Sequence, residues 1–164
     1  MIRKISILCC AGLIILLSQG GCSQNWFFFK NGIKAGANLE GRDLSHKNLE
    51  GANLYKATLY GAKLKGTVLR NADLRHANLS DTDLTGANLE GANLEGARLC
   101  RSKLGFATFL GASLRNANLE GADWKRFVIL SHAQLGCATW FDGTRCAPGS
   151  INNCEIEAAA GECD

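Results

Sequence analysis

A five-residue unit recurs along the chain and constrains the fold more than any other feature. Residues 87–99 read ANLEGANLEGARL. On an α-helix, a step of five residues rotates the side chain by about 140°, so the leucines would spiral around every side. On one straight strand, an odd step reverses the face each time. Neither regular element therefore gives this chain a single core face.

The unit has a physical explanation if the chain turns a corner in every repeat. Within one unit, Ala and Leu are two residues apart, so on an extended segment they point to the same side. The residue between them points outward. The remaining two residues, often Glu-Gly, can form the corner, because glycine tolerates unusual φ and ψ values. The pattern thus predicts a coil with Ala and Leu inside.

The register of the repeat is long. Nineteen positions at strict spacing run from Leu39 to Ile129, and sixteen of them are leucine. Two residues before these positions, sixteen of nineteen residues are Ala, Ser or Thr, as the interior of a narrow tube requires. The exceptions at this second position are Arg42, Lys47 and Phe127. We expect Arg42 and Lys47 near the open end of the tube, with their charged heads in solvent.

Outward residues taken at every twentieth position indicate how many units make one turn. The first column is Asp43, Lys63, Asp83, Lys103 and Asp123; the second is Tyr55, Arg75, Glu95 and Arg115; the third is Glu50, Arg70, Glu90, Leu110 and Leu130. Charge alternates along most of each column. If four units make one coil, these side chains stack at about 4.8 Å, where like charges would repel. The columns therefore predict four repeats per coil.

The repeats resemble those of the pentapeptide-repeat family, whose motif is A(D/N)LXX. Good matches are ANLEG at 87–91, 92–96 and 117–121, and ADLRH at 72–76. The resemblance covers residues 37–131 and implies an all-β fold, the right-handed quadrilateral β-helix with four repeats per coil. A solenoid exposes unpaired edges at both ends, so we expect a cap at each.

The N-terminus has the features of an export signal, which we assign to residues 1–21. Arg3 and Lys4 precede an uncharged apolar run of thirteen residues, Ile5–Leu17, too short for an ordinary membrane-spanning helix. The following LLSQGGC resembles a bacterial lipoprotein signal, with Gln19 where that family prefers leucine. The resemblance implies acylation of Cys22 and firm attachment to a membrane. Cleavage near Gly20 or Gly21 without acylation, and an uncleaved anchor, are the alternatives.

Residues 22–36 are interpreted as the lipid-attachment tether and the N-terminal cap. WFFF at 26–29 is a dense aromatic cluster just before the first repeat. It is expected to plug the first coil. The alternative is contact with the membrane interface, which Lys30 and the nearby Cys22 would assist.

Residues 132–164 are interpreted as a cysteine-rich C-terminal cap. After Ile129 the unit resumes one residue late, as AQLGC at 133–137 and ATWFD at 138–142, so Trp140 and Phe141 would close the last coil. Cys137, Cys146, Cys154 and Cys163 are disulfide candidates and indicate an oxidising compartment. The favoured pairing joins Cys146 to Cys154 and Cys137 to Cys163. A zinc site is the alternative, although the usual CxxC pairs are absent.

The sequence contains no recognisable catalytic set and predicts no cofactor or metal site. His46, His76 and His132 fall on different sides or levels of the expected coil. Cys100 follows an inward leucine and has no histidine in its column, so a nucleophilic role is disfavoured. The glycines recur at corners and form no phosphate-binding loop. We therefore expect a protein that is not an enzyme, with an enzyme as a disfavoured alternative.

These features predict an exported protein, anchored to the membrane through lipid, in the periplasm or cell envelope of a bacterium. It would act as a rigid scaffold or protein-binding module for an unidentified protein partner; a homodimer is left open. The alternative is a DNA mimic that regulates a topoisomerase, as in some members of the family that it resembles. Residues 37–131 carry thirteen Lys and Arg against ten Asp and Glu, so this alternative and nucleic-acid binding are disfavoured.

Overall fold

The computed structural model describes residues 33–124, 127–147 and 150. In this part of the chain, successive coils pair through single-residue parallel bridges. The bridges run from Asn38↔Thr58 to Lys103↔Asp123 and always join residues twenty apart. This confirms four repeats per coil. No helix among the described residues is long and apolar enough to cross a membrane.

The bridges stack into four walls, which we number in chain order by their outward residues. Wall 1 contains Asn38, Thr58, Asn78, Arg98, Asn118 and Thr139; wall 2 contains Asp43, Lys63, Asp83, Lys103 and Asp123; wall 3 contains Asn48, Val68, Asn88, Thr108 and Ile129; wall 4 contains Asn53, Asp73, Asn93, Ser113 and Gln134. The chain passes through the walls in the order 1, 2, 3, 4 and then rises by one coil.

Every backbone N–H of a typical repeat finds an acceptor, as the repeat 87–91 illustrates. Asn88 donates to the coil before it, at Thr67 O (2.9 Å), whereas Leu89 and Gly91 donate to the coil after it, at 2.8 Å each. Ala87 donates across the preceding corner, and the N–H of Glu90 donates to Asn88 Oδ1 (3.0 Å). In a repeat of this kind, with Asn at the outward position, every backbone N–H is therefore hydrogen-bonded.

The corners are hydrogen-bonded turns with one residue in the left-handed region. At residues 84–87, the N–H of Ala87 donates to Leu84 O (2.9 Å) and Gly86 has φ 66°, which corresponds to a type II turn. Positive φ recurs at every fifth residue from Gly36 to Gly121. The expected two-residue corner is thereby confirmed, although His, Lys, Asn, Asp, Arg and Phe also occupy this position.

The core is a narrow tube of leucine and alanine. The inward leucines from Leu49 to Leu114 are fully buried, with Phe109 in the same series. Some of the positions two residues before the inward leucines carry Thr or Ser instead of Ala. Their buried hydroxyls are hydrogen-bonded, because Thr67, Thr82 and Ser102 each donate to a leucine carbonyl oxygen at 2.7 or 2.8 Å. Arg42 and Lys47 are exposed, as predicted.

The prediction for Ile129 is wrong, because the extra residue enters the chain before Ile129. Thr108 pairs with Ile129, twenty-one residues later, so Ile129 is an outward residue of wall 3 and is 52% exposed. Val128 and Leu130 pack against the core instead. The pair Val128 and Leu130 has the same spacing as Ala and Leu, so the corner can absorb the insertion while apolar residues still face inward. Phe127 lies in this corner, not at an inward position.

The coil continues beyond residue 131, into the segment interpreted as a cap. The parallel bridges reach Asn118↔Thr139, and Trp140 is buried against Trp124, with ring centroids 4.2 Å apart. The chain then reverses and pairs antiparallel through Thr139↔Arg145. Phe141 is 40% exposed, so Trp140 is the aromatic residue that fills the last coil.

Several predictions concern residues outside the described part of the chain. These are the signal peptide 1–21, the acylation of Cys22, the WFFF plug, and the participation of Cys154 and Cys163. Cys137 and Cys146 are both disulfide-bonded cysteines, whereas Cys100 is free and buried. The favoured disulfide pairing stays a prediction.

Candidate functional site

The outward side chains carry the surface chemistry of the walls, and part of the predicted charge pairing is present. Lys63 Nζ lies 4.0 Å from Asp43, and Arg70 Nε lies 3.3 Å from Glu90, both between adjacent coils. The third column ends differently from the prediction, because Ser131, not Leu130, follows Leu110 in the next coil. Exposed pairs of this kind contribute about 0–1 kcal/mol each.

The closest ion pair between coils was not predicted from the columns. Arg101 donates to both carboxylate oxygens of Asp81 at 2.9 and 2.6 Å, across one coil. These hydrogen bonds lower the pKa of Asp81. Both residues occupy the positive-φ position of the corner, where the sequence analysis expected glycine. The spacing of twenty was nevertheless visible in the sequence and could have identified the pair.

The Asn or Asp of the motif has a structural role that was not predicted from the sequence. At many outward positions, including Asn53, Asp83, Asn93 and Asn118, the side-chain oxygen accepts the N–H of the residue two places later. In these repeats, the bond satisfies the one N–H that has no backbone acceptor. The stacked Asn and Asp side chains are thus part of the hydrogen bonding that holds the backbone, and they are not in themselves a binding site.

An apolar cluster interrupts the polar surface of wall 3. It consists of Phe106, Leu110, Phe127 and Ile129, which are 52%, 38%, 85% and 52% exposed. Phe106 and Phe127 are stacked, with ring centroids 6.1 Å apart and an interplanar angle of 26°. The cluster is the candidate functional site, because adjacent exposed apolar side chains commonly mark interaction surfaces.

The apolar cluster arises from two levels of the coil. Phe106 and Leu110 lie at the corners on either side of Thr108, the outward residue of wall 3 in that coil. One level higher, the inserted residue sets Ile129 above Thr108 and leaves Phe127 at the corner. The cluster therefore spans the width of wall 3 near its C-terminal end.

The residues considered for chemistry do not come together. His46, His76 and His132 lie at three different corners of the coil. Within the described ranges, no group of three or more His, Cys, Asp or Glu residues is placed to hold a metal ion. Cys100, whose place after an inward leucine predicts that it points outward or lies at a corner, lies at a corner and is only 8% exposed.

Comparisons with known proteins identify the repeat. The model of the family "Pentapeptide repeats" matches eight copies, over residues 35–71, 67–105 and 92–123. No curated protein matches the chain.

The chain is also similar to solved structures of pentapeptide repeat proteins. A pentapeptide repeat protein, Rfr23, from the cyanobacterium Cyanothece 51142 is 34% identical, with 60% of this chain and 84% of that chain covered and a TM-score of 0.50. HetL from Nostoc sp. strain PCC 7120, involved in heterocyst differentiation regulation, is 33% identical over 67% of this chain and 64% of its own, with a TM-score of 0.31.

QnrB1, a plasmid-mediated fluoroquinolone resistance protein, is 18% identical over 80% of this chain and 72% of its own, with a TM-score of 0.39. The family model covers more than half of the chain, and proteins of this family form right-handed quadrilateral β-helices. The chain therefore belongs to the pentapeptide-repeat family.

Proposed function

We propose that this protein is an exported, lipid-anchored scaffold of the bacterial cell envelope that binds another protein and catalyses no reaction. The observation that carries the binding role is the apolar cluster on wall 3. Its neighbours along the wall include Asn48 and Asn88, so the cluster is confined to one end of an otherwise mostly polar surface.

A protein partner with an apolar face fits the cluster. Covering these side chains removes apolar surface from water, which contributes about 25 cal/mol per Å². The backbone beneath them is held by bonds to the coils on both sides, such as Thr108 to Ala87 O (3.0 Å). Such a preorganised surface loses little conformational entropy on binding.

Export and anchoring are supported by the sequence. The apolar run Ile5–Leu17 and the small residues before Cys22 favour acylation at that cysteine. The cluster would then be presented from a membrane by a rigid β-helix.

A disulfide-linked C-terminal cap fits the same compartment. Cys137 and Cys146 flank the antiparallel turn that closes the last coil, where the N–H of Cys137 donates to Cys146 O (3.1 Å). With Cys154 and Cys163 they would give two disulfides, in the pairing Cys146–Cys154 and Cys137–Cys163. Disulfides persist in oxidising compartments, so such a cap supports export.

The anchoring proposal is tested by the intact mass of the protein purified from the cells that produce it, with and without reduction. We expect a chain that begins at acylated Cys22 and gains four protons on reduction. The variant Cys22→Ser is the control and should lose the acyl mass. A full-length, unmodified chain with every cysteine reduced would overturn export.

The binding proposal is tested by chemical cross-linking in those cells, followed by mass spectrometry. The variant Phe106→Ser/Phe127→Ser removes both stacked rings of the apolar cluster. Tyr60→Ser is the matched control, because Tyr60 is an exposed aromatic residue (41%) outside the cluster. We expect the control to retain the cross-linked partner and the double variant to lose it. Identical cross-links in both would contradict a role for the cluster.

A further inference from the structure

Positive charge is concentrated in the first two coils. Residues 33–75, which form these coils, contain eight Lys and Arg against four Asp and Glu, a net charge of +4. Residues 76–147 contain seven of each kind, so their net charge is zero. The excess of cations therefore lies at the N-terminal end of the solenoid, which is the end nearer in sequence to Cys22.

Four of these cations form a continuous surface on wall 2 and at its corner with wall 3. We call Arg42, Lys47, Lys63 and Lys65 the cationic patch. The backbone brings them together, because the N–H of Lys63 donates to Arg42 O (2.9 Å). Likewise, the N–H of His46, which precedes Lys47, donates to Lys65 O (2.8 Å). All four residues of the cationic patch are exposed.

Most of the cationic patch is not neutralised by the chain itself. Lys63 Nζ lies 4.0 Å from Asp43, and both side chains are more than 60% exposed. Within the described ranges, the other three members of the patch form no ion pair. Arg70 and Arg75 of the second coil, by contrast, lie 3.3 and 2.7 Å from carboxylate oxygens. The cationic patch is thus the part of these coils that can attract an external anion.

We propose that the cationic patch binds anionic phospholipid headgroups and holds the N-terminal end of the solenoid against the membrane surface. The proposal rests on the proposed function, in which acylated Cys22 anchors the chain. Ile33 follows Cys22 by eleven residues, a length of chain that reaches about 36 Å when extended. Cations are attracted to an anionic lipid surface within about 8 Å at physiological ionic strength. The patch therefore draws the solenoid to the membrane and sets its orientation.

The position of the cationic patch favours a membrane as its partner. The patch lies in the first and second coils, whereas the apolar cluster lies in the fourth and fifth, about 14 Å further along the axis. With the patch on the headgroups, the apolar cluster stays clear of the membrane and open to a protein. The acyl chain also keeps the patch at a high local concentration near lipid, so a few cations are sufficient.

Co-sedimentation with lipid vesicles tests the cationic patch without an acyl chain. The protein is the chain from residue 22 onward with Cys22→Ser. The probe is a vesicle of phosphatidylglycerol and phosphatidylcholine in equal parts, and a vesicle of phosphatidylcholine alone is the reference. We expect binding to the anionic vesicle to be at least about tenfold tighter. It should weaken as the ionic strength rises from about 0.01 M to about 0.15 M.

The variant Arg42→Gln/Lys47→Gln/Lys65→Gln removes the three cations without an ion pair. We expect its affinity for the anionic vesicle to fall at least about tenfold. Circular dichroism shows whether the variant is folded. If it is not, the single variant Lys65→Gln replaces it, since Lys65 is exposed at a corner, and its affinity should fall about threefold.

The matched control is Arg98→Gln/Lys103→Gln/Arg115→Gln. It removes the same charge from three exposed residues of the fourth coil, so it separates the cationic patch from net charge. We expect this control to lose less than about threefold in affinity for the anionic vesicle, because these cations lie further from the lipid.

Equal binding to the two kinds of vesicle would overturn the proposal, and so would equal losses in the two triple variants. Displacement from the anionic vesicle by inorganic phosphate at constant ionic strength would overturn it as well, because the patch would then be a site for a small anion. Since this chain lacks the acylated cysteine, such results would leave the anchoring proposal to its own test by intact mass.

Discussion

The imidazole of His76 lies over Gly96, one coil later, so closely that a Cβ built on Gly96 would come within 2.6 Å of His76 Nδ1. The same relationship joins His46 to Gly66, at 2.6 Å. At these two corners, the imidazole thus leaves room only for a glycine at the corresponding corner of the next coil. Here glycine is needed for space as well as for its positive φ.

This relationship predicts different costs for two glycine substitutions. Gly86 has φ 66° and no atom within 4 Å of its added Cβ, so Gly86→Ala should cost about 1 kcal/mol through left-handed strain alone. Gly96→Ala should cost about 1–3 kcal/mol more, because His76 must move. Denaturant unfolding measures both. In the double variant His76→Ala/Gly96→Ala the imidazole is absent, so the second substitution should lower the free energy of unfolding, relative to His76→Ala, only as much as Gly86→Ala does. A larger loss in the double variant would contradict the steric explanation.

The corner pair Asp81 and Arg101 predicts an acid-sensitive contribution to stability. The hydrogen bonds from Arg101 lower the pKa of Asp81 below its ordinary value of 3.8 in the folded chain. A lowered folded-state pKa stabilises the fold above the unfolded-state value, and this contribution is lost as the pH falls through the folded-state value.

Asp81→Asn should therefore show a smaller loss of thermal stability than the unsubstituted chain between pH 6 and pH 2. Melting temperatures followed by circular dichroism at both pH values test this. Glu120→Gln is the control, because Glu120 is exposed and forms no ion pair with the other described residues. Equal losses for Asp81→Asn and the unsubstituted chain would exclude the pair as the cause.

The position of the extra residue predicts that the fold tolerates substitution of Ile129 but not of its neighbour Leu130. Ile129 points outward, so Ile129→Ala should change the free energy of unfolding by less than about 0.5 kcal/mol. Leu130 packs against the core, so Leu130→Ala should cost about 2 kcal/mol. Urea unfolding of both variants distinguishes the two registers. The reverse order of costs would restore the register predicted from strict spacing.

The hydrogen bond to the side chain of Asn88 predicts that the Asn or Asp of the motif stabilises the fold. Asn88 Oδ1 accepts the N–H of Glu90 at 3.0 Å. Asn88→Ala removes this acceptor and should destabilise the fold by about 1 kcal/mol. Asn88→Asp retains an acceptor at the same place and is the matched control. If both variants unfold at the same denaturant concentration, the hydrogen bond does not explain the preference for Asn or Asp.

The coil and the inward positions up to Trp124 could be predicted from sequence because both depend on local spacing. Ala and Leu two residues apart define the inward side, and a corner every five residues defines the coil. The charge columns added the number of repeats per coil, since they compare residues that the coil stacks directly. The family match and the bridges agree with these predictions.

The insertion could not be located from strict spacing alone. Ile129 and Leu130 are both apolar and adjacent, so the sequence permits either one to face inward. The pairing of Thr108 with Ile129 decides between them. The apolar cluster follows from that decision, because Phe127 and Ile129 are outward only in this register.

The sequence by itself determined the repeating unit, the coil that it forms and the small residues that its interior requires. Its local period sets these features within each repeat. Only the tertiary structure decided which corners approach each other and where the inserted residue lies. Those features depend on contacts between residues twenty or twenty-one positions apart, whose exact register the chain establishes only when one coil packs on the next.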